Sequence, residues 1–282
     1  MSSGKLRELR GRIRSILSIQ QTTRAMRMIA AVKLRKSQDR LIRLRPYRHQ
    51  SEALLKLLLS QLEEPHFYQR PSKASSTMYV ILSSSRGLCG AFNSGLLRWL
   101  LPQLPEPKSA SLLILGKKAY EVLRRSAYSI EYKDLFGGRD ISVEEVQSVA
   151  QQLVQRFTAG SVQRILLVYN RFGGVGKSIP TLETLLPLPP SEKPETRPWI
   201  LEPSLEALID SFVPFYIETA LLAAVYESIT AEHAARMVAM QAASDNAEEL
   251  LRTLRLQYNK ARQASITKEL LEIVAGAEAL KG

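Results

Sequence analysis

ARMVAMQAASDNAEELLRTL, residues 235–254, decides how the chain is to be read. Arg236, Met240, Ala243, Ala247, Leu250 and Leu254 recur with steps of four, three, four, three and four, the spacing of a helix that keeps one stripe against a partner helix. The same text runs without proline or glycine from residue 215 to about residue 275. Pro214 is placed for the first turn of this helix, where its missing N–H removes no hydrogen bond. Ala231, Ala234, Ala235, Ala239, Ala242 and Ala243 allow the axes of two helices to approach closely.

A helix this long must bury its stripe on something equally long. The other end of the chain supplies a counterpart. Between residues 3 and 62 no glycine follows Gly11 and the one proline is Pro46, while Leu6, Leu9, Ile13 and Ile16 recur in alternating steps of three and four. Gln20 and Thr23 continue that phase as polar residues, and Met26, Ala30, Leu34, Leu41 and Leu44 resume the apolar face. At about 1.5 Å per residue, the part before Pro46 spans roughly 60 Å. Two such termini predict an antiparallel coiled coil, although periodicity alone leaves open a bundle in which both helices pack inside one globule.

Between the helices the period changes. Residues 77–84 (TMYVILSS), 111–116 (SLLILG) and 162–170 (VQRILLVYN) are short runs rich in Ile, Val and Leu, as strands buried on both faces require. Helical segments separate them, at about 94–101, 117–125 and 142–157, the last opening with Ser142 and Glu145 in capping-box spacing. This alternation predicts a Rossmann-like α/β domain. One more strand is expected at 179–186, followed by an irregular connector marked by Pro187, Pro189, Pro190, Pro194, Pro198 and Pro203. The expected fold class is α/β plus all-α, with an N-terminal coiled-coil helix at 1–62, a central α/β domain at 74–203 and a C-terminal coiled-coil helix at 204–282.

Charge narrows the partners. Residues 1–50 hold fourteen of the 39 Lys and Arg residues but only two of the 27 acids, Glu8 and Asp39, so the entire net charge of +12 lies on the first helix. Such a stripe seeks an anionic partner, whether nucleic acid, an anionic membrane surface or an acidic protein. A basic helical nucleic-acid-binding protein accounts for the charge but not for the apolar seam, and the segment has few aromatics for base stacking. No run reaches 18 consecutive apolar residues, so no membrane span is expected. The basic N-terminus leads into charged helical text without an apolar export core, and the chain is expected to be neither exported nor processed.

Candidate chemistry fails on inspection. GGVGKS at 173–178 follows a predicted strand and ends in Gly-Lys-Ser, yet a phosphate-binding P-loop needs a glycine where Arg171 stands and must open a helix, whereas Ile179-Pro180 begins an extended segment. A hairpin turn is the better reading. RGLCG at 86–90 lacks the spacing of a dinucleotide-binding loop. Cys89 is the single cysteine, which excludes an intrachain disulfide and a cysteine metal cluster, and with no histidine nearby in sequence it reads as a structural thiol. His49, His66 and His233 lie far apart and fit no metal or catalytic pattern. Neither a catalytic residue, a cofactor nor a metal is expected.

Residues 25–38 (AMRMIAAVKLRKSQ), 85–93 (SRGLCGAFN) and 232–277 (EHAARMVAMQAASDNAEELLRTLRLQYNKARQASITKELLEIVAGA) resemble the signature blocks of the F-type ATP synthase γ subunit, in its bacterial type without the chloroplast regulatory insertion. The family usually carries Asp where this chain has Ser85. The resemblance implies a rotor shaft, not an enzyme: the coiled coil stands inside a hexamer of α and β subunits, and the α/β domain sits on a membrane-embedded c-ring beside the ε subunit. Ring rotation driven by protons or sodium ions would then be coupled to ATP synthesis or hydrolysis at β. It implies contacts with α and β at Met26, Lys33, Arg35, Lys36, Arg262, Gln263, Thr267 and Glu269, and contacts with the c-ring at Trp199 and Glu202. It also implies a peripheral place on the cytoplasmic face of a bacterial inner membrane, and no nucleic-acid partner.

Overall fold

The computed structural model describes residues 2–71, 74–137, 141–190 and 199–279. The elements run α1 (Ser2–Ser60), β1 (Thr77–Leu82), α2 (Phe92–Leu100), β2 (Ala110–Leu115), α3 (Lys117–Leu123), β3 (Ser129–Lys133), α4 (Val143–Thr158), β4 (Arg164–Phe172), β5 (Ser178–Leu186) and α5 (Leu205–Ala279). They form two compact units. One holds Met1–Ala30 with Met237–Gly282, and the other is Ala31–Arg236.

The first unit is a pair of antiparallel helical segments. Arg10 Nη2 donates to the Tyr258 hydroxyl at 2.8 Å, Gln20 Nε2 to Glu248 Oε2 at 3.3 Å, and Arg27 Nη1 to Gln241 Oε1, so numbers rise along one helix as they fall along the other. On the α1 side Leu9, Gln20, Thr23 and Ala30 are buried, and Leu6, Ile13 and Ile16 are half-buried, in the expected phase. The α5 seam departs from expectation. It runs Met240, Ser244, Ala247, Leu251, Leu254, Tyr258, Ala261 and Ser265, all buried or half-buried and in steps of four and three, while Leu250 is 52% exposed. The stripe therefore passes through Ser244 and Leu251 instead of Ala243 and Leu250.

The second unit is a three-layer α/β fold. Its five-stranded sheet has the order β3-β2-β1-β4-β5, parallel except for β5, which runs antiparallel to β4. On one face Val80, Leu113 and Leu167 pack with Val149, Leu153 and Phe157 of α4, with Leu55 and Leu59 of α1, and with Ile209, Val213 and Ile217 of α5. On the other, Ile81, Ile114 and Val168 pack with Leu96 and Leu100 of α2 and Ala119 and Leu123 of α3. Cover on both faces explains the nearly unbroken apolar runs of the central strands. β3 was not foreseen, because SIEYK at this sheet edge alternates polar with apolar residues, half-buried after the exposed Ser129, and carries no apolar run.

Two boundaries also differ. α5 begins at Leu205, ten residues before the expected start, and Pro214 lies well inside it. The Ser204 hydroxyl accepts from Ala207 N at 3.2 Å, an N-cap that the proline-rich text concealed. Burial of Ile209, Val213 and Ile217 on either side of Pro214 offsets the backbone hydrogen bond the proline cannot make. α2 starts at Phe92, two residues earlier than expected. An 18-residue window within α5 is apolar enough to cross a membrane by length and composition, with mean hydropathy 1.6, and half of it is buried, as in the core helix of a packed domain.

Candidate partner-binding surfaces

In the first unit the seam carries a polar layer at Gln20 and Thr23. Gln20 and Thr23 are buried, the Thr23 hydroxyl donates to Gln20 O at 3.0 Å, and Glu248 accepts from both Gln20 and Arg24, the latter at 3.0 Å. A buried polar layer among apolar ones penalises every slipped register, because a slip strands its donors. Met26 is half-buried beside this layer. Arg262, Gln263, Thr267 and Glu269 are exposed. Thr267 Oγ1 donates to Gln263 O at 3.0 Å, and Glu269 accepts from the buried seam hydroxyl of Ser265 at 3.2 Å. Nearby Ile266, Leu270, Leu271, Ile273 and Val274 are 49% exposed or more.

In the second unit Lys33, Arg35 and Lys36 are exposed and flank the buried seam residues Leu34 and Ser37. Trp199 and Glu202 are exposed just before α5, with Ile200 between them at 92% exposure. The structure thus brings Lys33, Arg35 and Lys36 onto one segment and Trp199 and Glu202 onto another.

The turn after β1 forms a surface that periodicity did not reveal. Arg236 of α5 donates from Nη2 to Arg86 O at 3.4 Å and Gly87 O at 3.2 Å, and from Nε to Gly87 O at 3.3 Å, while its Nη2 pairs with Glu232 Oε1 at 2.6 Å. Burial pushes the Glu232 carboxyl up, with Arg236 opposing. His233, 3.4 Å from Arg236 Nη1, is pushed down to about 4 by burial and then by the charges of Arg236 and Lys33. It is therefore neutral near pH 7, and its Nδ1 can accept from the guanidinium. This clamp holds Leu88 at φ 61°, a conformation unusual outside glycine, with the side chain 59% exposed. A leucine held in the left-handed region with its apolar side chain outward is a candidate contact surface. Cys89 below it is buried, receives the Asn93 amide at 3.3 Å, and burial raises its thiol pKa, as a structural thiol requires.

A second, partly buried network was also missed by sequence reading. Arg48 pairs with Glu183 of β5 and lies 5.2 Å from the centre of the Tyr216 ring, and Tyr169 donates to Glu183 at 3.3 Å. Arg45 pairs with Glu227 at 3.0 Å, and the other oxygen of Glu227 accepts from Phe172 N at 2.8 Å. Burial, with Glu183 and Glu227 nearby, pushes the Tyr169 phenol up. These contacts fasten the β4–β5 hairpin to both long helices. The hairpin itself answers the P-loop question: Gly173 N donates to Lys177 O at 3.0 Å, Lys177 N to Gly174 O at 3.1 Å, and Gly174 and Gly176 take positive φ, so GGVGKS is a turn and opens no helix. Among the described residues no cluster of His, Cys, Asp and Glu could hold a metal ion.

A family model described as ATP synthase matches residues 5–280. The ATP synthase gamma chain of Chlorobium phaeobacteroides is 38% identical, covering 98% of this chain and 99% of the relative. That of Heliobacterium modesticaldum is 36% identical over the same shares. Among solved structures, a chain of the Euglena gracilis mitochondrial ATP synthase OSCP/F1/c-ring assembly superposes with a TM-score of 0.72 at 22% identity, over 99% of this chain and 95% of that one. At that identity the likeness speaks for the fold.

Proposed function

Because this chain belongs to the ATP synthase gamma-chain family, we propose that it is the central rotor shaft of an F-type ATP synthase, coupling ion-driven rotation of a c-ring to ATP synthesis or hydrolysis on β subunits. The observation that carries the reading is the antiparallel helix pair with its continuous 3-4 seam and buried polar layer. A shaft must resist twisting without sliding in register, and such a seam supplies both properties.

The surfaces divide by chemistry. Lys33, Arg35 and Lys36 are exposed cations suited to an acidic segment of β, in ion pairs worth about 0–1 kcal/mol each that break readily as the shaft turns. Met26, together with Arg262, Gln263, Thr267 and Glu269, would face α and β inside the hexamer, and Leu88 would add an apolar contact of its own. Trp199 and Glu202 would meet the polar loops of the c-ring, with ε beside the α/β domain. In functional terms the chain divides into the helices at 1–62 and 204–282 and the α/β domain at 74–203. The complex would stand on the cytoplasmic face of a bacterial inner membrane, with this chain peripheral.

The decisive experiment reconstitutes the chain with its α and β subunits and records rotation of a bead fixed to an engineered surface cysteine during ATP hydrolysis. Stepwise rotation of the bead is expected. Hydrolysis with a stationary bead would refute the rotor assignment. A basic nucleic-acid-binding protein would instead retain duplex DNA at physiological salt, and no such retention is expected.

A further inference from the structure

The sheet holds a cleft at the edge opposite the Arg86–Cys89 turn, where the parallel strands begin. Its volume is about 440 Å³, and Ser76, Lys108, Ser111, Ser129, Arg156 and Ser161 supply its polar lining. Ser111 of β2 lies in register with Met78 of β1 and with Ser129 of β3. It therefore occupies the sheet face on which Leu113, two residues further along β2, packs into the main core. A serine in that row is out of character, and its Oγ is buried without a hydrogen-bond partner. An unsatisfied buried hydroxyl costs about 1–3 kcal/mol, and a turn about χ1 toward the cleft would let a guest there satisfy it.

The occupant's chemistry follows from the donors. Lys108 is exposed at the rim and has no ion pair among the described residues. Arg156 pairs with Glu131 through Nη2 at 2.6 Å, and a guanidinium carries five N–H donors, more than that pair uses. Three main-chain acceptors at the cleft or beside it are already engaged: Ser76 O accepts from Gln163 N at 2.8 Å, Arg156 O from Ser161 N at 3.0 Å, and Phe157 O from Gly160 N at 3.0 Å. The lining thus offers two cations and four hydroxyls and no carboxylate of its own, which suits a ligand rich in acceptor oxygens. Met78, Pro107, Ala110 and Val162 complete the walls, and the volume exceeds that of a bare oxyanion.

We propose that this cleft is a binding site for a phosphate monoester, the dianion seated between Lys108, Arg156 and the Ser111 hydroxyl and its carbon body against Met78 and Val162. A soluble metabolite and a lipid headgroup present the same dianion. Calorimetric titration of the full chain with glycerol 3-phosphate, and separately co-sedimentation with vesicles containing phosphatidic acid, would distinguish the two. Saturable binding in at least one arm is expected, weakened about tenfold by Lys108→Gln and severalfold by Ser111→Ala. Lys108 is exposed, so Lys108→Gln should unfold at the wild-type denaturant concentration and report binding alone. Binding to glycerol 3-phosphate identifies a soluble ligand, and binding to vesicles alone identifies a lipid headgroup. Absence of saturation in both arms up to about 20 mM, or equal binding by wild type and Lys108→Gln, would overturn the site and leave water as its occupant.

Discussion

Gly116 shows how much one residue can hold in place. It adopts φ +121°, and a Cβ added there would lie 2.0 Å from Ser83 O. Around it Ser83 N donates to Leu115 O, Gly116 N to Lys133 O, and the Ser83 hydroxyl to Gly116 O while accepting from Ala119 N at 3.0 Å. Gly116→Ala must move backbone at the meeting point of β1, β2 and α3, and it should cost about 3 kcal/mol or more, read as a lower urea midpoint of the α/β transition. His233 yields a prediction in pH. Its folded pKa, pushed down to about 4, lies below the ordinary value of 6.5, so between these values the unfolded chain binds more protons than the folded one. The stability it contributes is complete above pH 6.5 and is lost as pH falls toward 4, by up to about 3 kcal/mol before discounting for partial exposure. His233→Gln should flatten the slope of urea stability against pH across that window. An unchanged slope would mean the imidazole is already charged or free in the folded chain.

Among the elements, the long helices and three of the central strands were legible because their periods are long or their apolar runs unbroken. The α5 seam was legible in period but not in phase. Ala243 stands beside Ser244 and Leu250 beside Leu251, and composition favours the wrong member of the first pair and cannot separate the second. The phase is set by the partner helix: the Gln20–Glu248 and Arg27–Gln241 contacts place Ser244 inward and leave Leu250 out. Leu251→Asp should therefore destabilise the helix pair by about 2–5 kcal/mol, whereas Leu250→Asp should be nearly silent. Circular dichroism of both variants on heating would tell them apart, and equal losses would return the seam to Leu250. The early start of α5 and the β3 edge strand escaped for different reasons. Proline outweighed the Ser204 cap in the first case, and in the second half-burial at a sheet edge left no apolar run to find. The Arg236 and Arg48 networks join residues more than a hundred positions apart in sequence, and no local pattern announces such pairs.

At the scale of the whole molecule, function was legible through the resemblance of whole blocks, not through any chemical motif, as suits a part whose work is mechanical. The surfaces named for partners are all accessible except Met26, which is half-buried, but accessibility does not decide which of them works. The group at Arg262, Gln263, Thr267 and Glu269 admits the sharpest test. Thr267 already donates to Gln263 O within the helix, so its hydroxyl can exchange an intrahelical acceptor for one on a β loop with little change in the number of bonds. A net value of about 1 kcal/mol per such exchange would make a latch that holds one rotary position without locking the rotor. The buried neighbour in the seam is Ser265, which holds Glu269 through its own hydroxyl, so the two latch residues can be altered without opening the helix pair. Gln263→Ala with Thr267→Val should leave assembly and thermal unfolding at wild-type values and lower steady-state ATP turnover of the assembled complex severalfold. Thr267→Ser, which keeps the hydroxyl, should restore most of the loss due to Thr267→Val alone. If turnover in the double variant stays at the wild-type level, these residues only solvate a helix end; if Thr267→Ser turns over as slowly as Thr267→Val, the hydroxyl alone does not make the latch.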